Sequence, residues 1–164
     1  MKIIVLAGGL STERDVSLSS AAGICRTLVE KGHDAFLLDV FMGLENAPEN
    51  LEDVFTLPDH GLEIVKNIST EEPDLEAVKA SRPDQSDCFF GPNVIELCRL
   101  ADITFLGLHG GEGENGKLQA SFDLLGIKYT GPDSLGCAVA MHKGVAKQIF
   151  LCLLYTSDAA DDRI

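Results

Sequence analysis

Behind the apolar run Ile103 to Leu108 stand His109, Gly110, Gly111, Glu112, Gly113, Glu114, Asn115, Gly116 and Lys117 in unbroken succession. A histidine at the end of a strand, four glycines in seven residues and then a helical pattern is the layout of a backbone-lined small-molecule site. Glycine reaches positive φ and lets a ligand approach peptide N–H groups with no Cβ in the way. A second polar loop lies near the N-terminus, Gly8-Gly9-Leu10-Ser11-Thr12-Glu13-Arg14-Asp15, again directly after an apolar run. Together the loops suit an amino acid. Glu13 offers a carboxylate to an ammonium group, while His109 and the glycine N–H groups, Gly110 first among them, offer donors to a carboxylate or a developing acyl phosphate.

Other chemistries fit these residues less well. Gly111 to Lys117 matches the first seven positions of the phosphate-cradling pattern G-x-x-x-x-G-K-[ST], but the eighth is Leu118, which has no hydroxyl for a metal ion. Glu112 and Glu114 would also set like charges against the phosphates. A dinucleotide fold is disfavoured because the first loop lacks G-x-G-x-x-G, and Asp39 after the second apolar run is weak evidence alone. A non-enzymatic α/β module holding a small amino acid between the same loops stays open.

These loops need a sheet to hold them. Lys2 to Ala7 reads as a strand, Val16 to Lys31 as a helix with Leu18, Ala21, Cys25 and Leu28 inward and Gly32 as its stop, and Ala35 to Val40 as a second strand. This β-α-β unit implies parallel strands. A helix from Pro92 to Leu100 precedes the strand Ile103 to Leu108. After the glycine loop, Leu118, Phe122 and Leu125 mark a helix closed by Gly126, followed by a short strand at Lys128 to Thr130 and helices at Asp133 to Met141 and Lys143 to Leu151. The pattern is a doubly wound, mostly parallel Rossmann-like α/β sheet with both loops at the carboxyl ends of strands.

Between Gly43 and Phe90 lie 12 acidic and three basic residues, so most of the formal charge of −13 sits in one excursion at about 43–90, with a short strand predicted at Leu62 to Lys66. This charge disfavours nucleic acid and anionic membranes as partners. A hydrophobic content of 45% suits a buried parallel sheet in one domain. Five scattered cysteines without a CxxC pair argue against a disulfide scaffold or metal site and for a reducing, cytoplasmic compartment. No run approaches a membrane span or a signal sequence.

From His109 to Ala120 the order His-Gly, two residues, Gly-Glu, Asn, Gly, one residue, an aliphatic, Gln and a small residue resembles the signature of the D-alanine–D-alanine ligases, which belong to the ATP-grasp ligases. The resemblance extends through Leu125-Gly126-Ile127-Lys128-Tyr129-Thr130-Gly131-Pro132 and has a second anchor in Gly8 to Leu18. Two motifs about ninety residues apart are far more specific than either alone. In that family ATP phosphorylates the carboxylate of one D-alanine, and the amine of a second attacks the acyl phosphate to give the dipeptide for peptidoglycan precursors.

The resemblance implies that Glu13 orients the first ammonium, that Val16 and Ser17 shape its pocket, that His109 and Gly110 lie at its carboxyl end, and that Lys143 reaches the ATP phosphates. Where the family usually has aspartate, this chain has His142. Residues 1–150 correspond to the family's N-terminal domain; the ATP-grasp central and C-terminal domains, with the Mg²⁺ ligands, are expected outside this chain, so the isolated piece should not turn over ATP. The tail 151–164 departs from the family pattern and resembles a translated adapter read-through. Ligases of this kind are commonly homodimers.

Overall fold

The computed structural model describes residues 1–65 and 72–157, with the backbone alone at 154–157. Three parallel strands form one sheet in the order β2-β1-β3: β1 is Lys2–Ala7, β2 Asp34–Asp39 and β3 Ile103–Leu106. β1 is central, its partners running from Lys2 opposite Asp34 to Ala7 opposite Asp39 and from Ile3 opposite Ile103 to Leu6 opposite Leu106. A strand covered on both faces reads as a continuous apolar run, which is why Ile3 to Ala7 are all buried.

Alternate side chains then serve two cores. Ile3, Val5 and Ala7 pack with Ala35 and Leu37 under α1 (Arg14–Glu30), which contributes Leu18, Ala21, Ala22 and Cys25. Ile4 and Leu6 pack with Phe36, Leu38 and Val40 under α3 (Val94–Leu100) and α5 (Lys117–Leu125). Helices on both faces make the sheet doubly wound, as the sequence implies. Between β2 and α3 lies α2 (Leu75–Ser81), and α4 (Gly111–Glu114), α6 (Ser134–Met141) and α7 (Lys143–Ser157) complete the described helices.

Several boundaries differ from those expected. α1 begins two residues earlier than Val16, because Arg14 turns inward rather than into solvent. α3 begins after Pro92, since Asn93 takes a left-handed φ of 64° that no first helical turn contains. β3 stops at Leu106. Gly107 N–H still donates to Leu6 O at 2.8 Å, but its carbonyl accepts the Ser17 hydroxyl at 2.7 Å instead of continuing a ladder. Residues 128–130 make one parallel bridge, Thr104 with Tyr129, rather than a strand. Leu62–Ile64 is a 3₁₀ turn, so the strand expected from Leu62 is absent over these residues; Lys66 lies outside the described ones. α7 passes position 151 without a break.

The excursion is closed at its neck. Leu44 N–H donates to Pro92 O and Asn93 Nδ2 to Leu44 O, at 2.9 and 2.7 Å, and a Cβ on Gly91 would come within 2.4 Å of Gly43 N. No helix among the described residues is long and apolar enough to cross a membrane.

Cys25 and Cys98 are buried, and burial pushes their thiols up to about 11 and about 12, whereas Cys88 and Cys152 are exposed. A thiol-specific chromogenic reagent at pH 8 is expected to label the exposed pair first, with the buried pair at least about a hundredfold slower until denaturant is added. Because the folded-state values lie above 9, the stability these thiols contribute is complete below pH 9 and is lost as the pH rises toward 11 to 12. A series of thermal midpoints across that range measures the loss.

Candidate functional site

Both loops leave the carboxyl ends of adjacent strands, β1 and β3, so the fold sets them side by side. α1 joins them. Glu13, Ser17 and Ser20 fall at i, i+4 and i+7, one helical stripe, while Arg14, Leu18, Ala21 and Cys25 form the buried stripe beside it. Ser17 is fully buried; its hydroxyl accepts from Gly8 N–H at 2.9 Å and donates to Gly107 O at 2.7 Å. The expected pocket-shaping serine is therefore a tie between the two loops. Ser11 ties them again, donating from Oγ to His109 O at 2.7 Å.

His109 is half-buried, and its Nε2 stands 3.1 Å from Ser20 Oγ. The same hydroxyl lies 3.1 Å from Ser17 O, so the direction of the Ser20–His109 hydrogen bond follows the tautomer of the ring. With Nε2 turned to Ser20, Nδ1 is the ring nitrogen left for a ligand, and it is a donor in the tautomer that carries its proton there.

The Glu13 carboxylate lies over the start of the glycine loop: a Cβ on Gly110 would fall 2.8 Å from Glu13 Oε2. Among the described residues no basic group pairs with that carboxylate, so it is free to take a ligand's cation. Gly110 has φ 68° and ψ 178°, a conformation essentially restricted to glycine. Gly110→Ala should destabilise the chain by about 1–3 kcal/mol and push Glu13 aside, read as a lower denaturation midpoint together with shifted amide resonances at Glu13. An unchanged midpoint would refute this packing.

Beneath the first loop lies a pair not anticipated from sequence. Arg14, 8% exposed, donates to Gly9 O at 2.8 Å and pairs with the carboxylate of Asp39, 3% exposed. Asp39 also accepts from Phe41 N–H at 2.9 Å and Met42 N–H at 3.1 Å. A Cβ on Gly8 would sit 2.6 Å from the same carboxylate, which explains the glycine. Asp39 thereby binds the first loop to the end of β2. The readable sign was an acid ending β2, but its partner 25 residues upstream was not.

The other expected residues are exposed. Val16 is 48% exposed on the first turn of α1, three residues after Glu13. Lys143 opens α7 in solvent, with no hydrogen bond or ion pair among the described residues. Its neighbour His142 accepts from Val145 N–H through Nδ1 at 3.1 Å, so the imidazole caps α7 as an aspartate would. Lys117 pairs with Glu112 at 3.2 Å, and Gly111–Glu114 is a helical turn rather than a phosphate nest. No cluster of three His, Cys, Asp or Glu suited to a metal ion occurs among the described residues.

Comparison with known proteins agrees with this arrangement. The family model described as D-ala D-ala ligase N-terminus matches residues 2–132. The D-alanine–D-alanine ligase of Lacticaseibacillus casei is 46% identical over 151 residues, covering 92% of this chain and 42% of the relative. That of Pediococcus pentosaceus is 49% identical over 156 residues, covering 92% and 43%. The chain thus spans about two fifths of the length of these relatives. The Coxiella burnetii D-alanine–D-alanine ligase structure shares its fold at a TM-score of 0.55 and 24% identity, covering 93% of this chain and 42% of that one. The Bacillus anthracis ligase complexed with ATP does so at 0.54 and 22%, covering 91% and 36%. Matched from residue 2 to residue 132 by that model, and with both glycine loops in one crevice, this chain belongs to the D-alanine–D-alanine ligase family as its N-terminal portion.

Proposed function

We propose that the protein of which this chain forms the N-terminal portion is an ATP-dependent D-alanine–D-alanine ligase supplying a peptidoglycan precursor in the cytoplasm, as a homodimer. The observation that carries the reading is the placement of an unpaired Glu13 carboxylate over Gly110, one residue from His109. An α-amino acid carries an ammonium and a carboxylate on one carbon, and this crevice offers an acid and a set of donors side by side. ATP supplies the phosphoryl group that activates the first carboxylate. In this reading Glu13 holds the ammonium, the N–H groups from Gly110 onward and His109 face the carboxylate end, and Lys143 reaches toward the nucleotide from its place at the start of α7. Mg²⁺ is assigned no residue of this chain, and residues 1–150 form one wall of the site.

The test is Glu13→Gln in the full-length ligase. A charge-assisted hydrogen bond contributes about 1.5–3 kcal/mol, so KM for the first D-alanine should rise roughly 10- to 150-fold. Steady-state phosphate release at saturating ATP measures it. Wild-type kinetics in that variant would remove Glu13 from the site.

A further inference from the structure

The acidic excursion has no part in the function proposed above, yet its last residues return to the site. Phe89 lines the narrow space shared by Gly8, Gly9 and Ser11 of the first loop and Leu108, His109 and Gly113 of the second. Its Cζ would lie 3.6 Å from a Cβ on Gly9. Phe90 turns the other way and stacks on Phe122 of α5, with ring centroids 6.1 Å apart and planes 18° from parallel. The two rings meet edge to face at 5.7 Å.

Arg82 fixes this turn. It is 1% exposed, and its guanidinium donates to Cys88 O and Phe90 O, the carbonyls on either side of Phe89, while Asp84 neutralises it. The same guanidinium lies 4.8 Å above the Phe41 ring just beyond β2. A buried cation thus anchors the returning chain to the end of the sheet, and that chain presents one aromatic ring between two glycine loops.

We propose that Phe89 is a positioning residue for the site, a wedge that sets the spacing of the Glu13 and His109 loops, with Arg82 as the clasp that holds it there. The excursion anchors itself to the sheet through Val54 and Phe55, both buried, and its last stretch delivers this ring. Ser11 and Ser17 draw the loops together by hydrogen bonds; Phe89 stops them from closing further. The consequence for catalysis rests on the ligase reading, and the consequence for loop geometry does not.

Hydrogen exchange on the 164-residue chain tests the geometry. Phe89→Ala should raise exchange at Gly9 and at Gly110 to Gly113 about tenfold or more while the β1 amides Ile4 to Leu6 keep their protection. Arg82→Lys, which retains charge but not the fork that grips two carbonyls, should do the same more weakly, and Phe89→Leu should restore most of the protection. Unchanged loop exchange in Phe89→Ala, or loosening of β1 and loops in parallel, would overturn the proposal. In the full-length ligase Phe89→Ala should raise KM for D-alanine roughly tenfold, with kcat within a factor of about three and Phe89→Leu intermediate. A loss of kcat at unchanged KM would mean that the ring only supports the fold. Absence of ligase activity in the wild type would defeat the functional reading and leave the exchange result standing.

Discussion

Asp39→Ala is expected to destabilise the fold by about 3–5 kcal/mol, the cost of leaving one member of a buried ion pair without the other. The Arg14 guanidinium would keep only Gly9 O as partner, and the N–H groups of Phe41 and Met42 would lose their acceptor. Small domains have about 5–15 kcal/mol in total, so such a loss is a large fraction of the whole. Urea unfolding followed by far-UV circular dichroism should show a midpoint shift at unchanged slope. A loss below about 1 kcal/mol, the range of an exposed pair, would refute the burial argued above. Replacing both residues by leucine should recover much of the loss, because two apolar side chains leave no charge behind.

The second large effect is kinetic. His109→Ala in the full-length ligase should lower kcat by about 10²–10³, the cost of removing one preorganised donor from a developing anion. The ring is held from both ends, its Nε2 by Ser20 and its backbone carbonyl by Ser11, so it needs no rearrangement before it acts. Single-turnover measurement of phosphoryl transfer with D-alanine separates this from slow product release. Ser20→Ala should cost far less than His109→Ala, since it frees the ring without deleting it. Equal losses in the two variants would mean that orientation, not the donor, is what His109 provides.

Much of the sheet was legible because β1 and β2 are buried on both faces and read as apolar runs, with Gly32 and Gly126 stopping helices where left-handed φ is required. The glycine loop and Glu13 were legible through their spacing, and the structure brings them together. The start of α1 was not, because Glu13, Arg14 and Asp15 look like a solvated run, and what turns Arg14 inward is an acid at the far end of β2. The excursion was opaque for a related reason. The order of its last stretch comes from Arg82 gripping main-chain carbonyls six and eight residues on, and a grip on backbone leaves no mark in side-chain pattern. Val16 and Lys143 entered by family correspondence alone, and both side chains are exposed.

Ser17 carries an implication for motion. Because one buried hydroxyl holds both Gly8 N–H and Gly107 O, the two loops and the first turn of α1 are joined as a single bracket. Tied in this way, neither loop swings without the other. Under the function proposed above, sealing an amino acid from water would fall to the part of the full-length protein that faces these loops, with the loops as its fixed jaw.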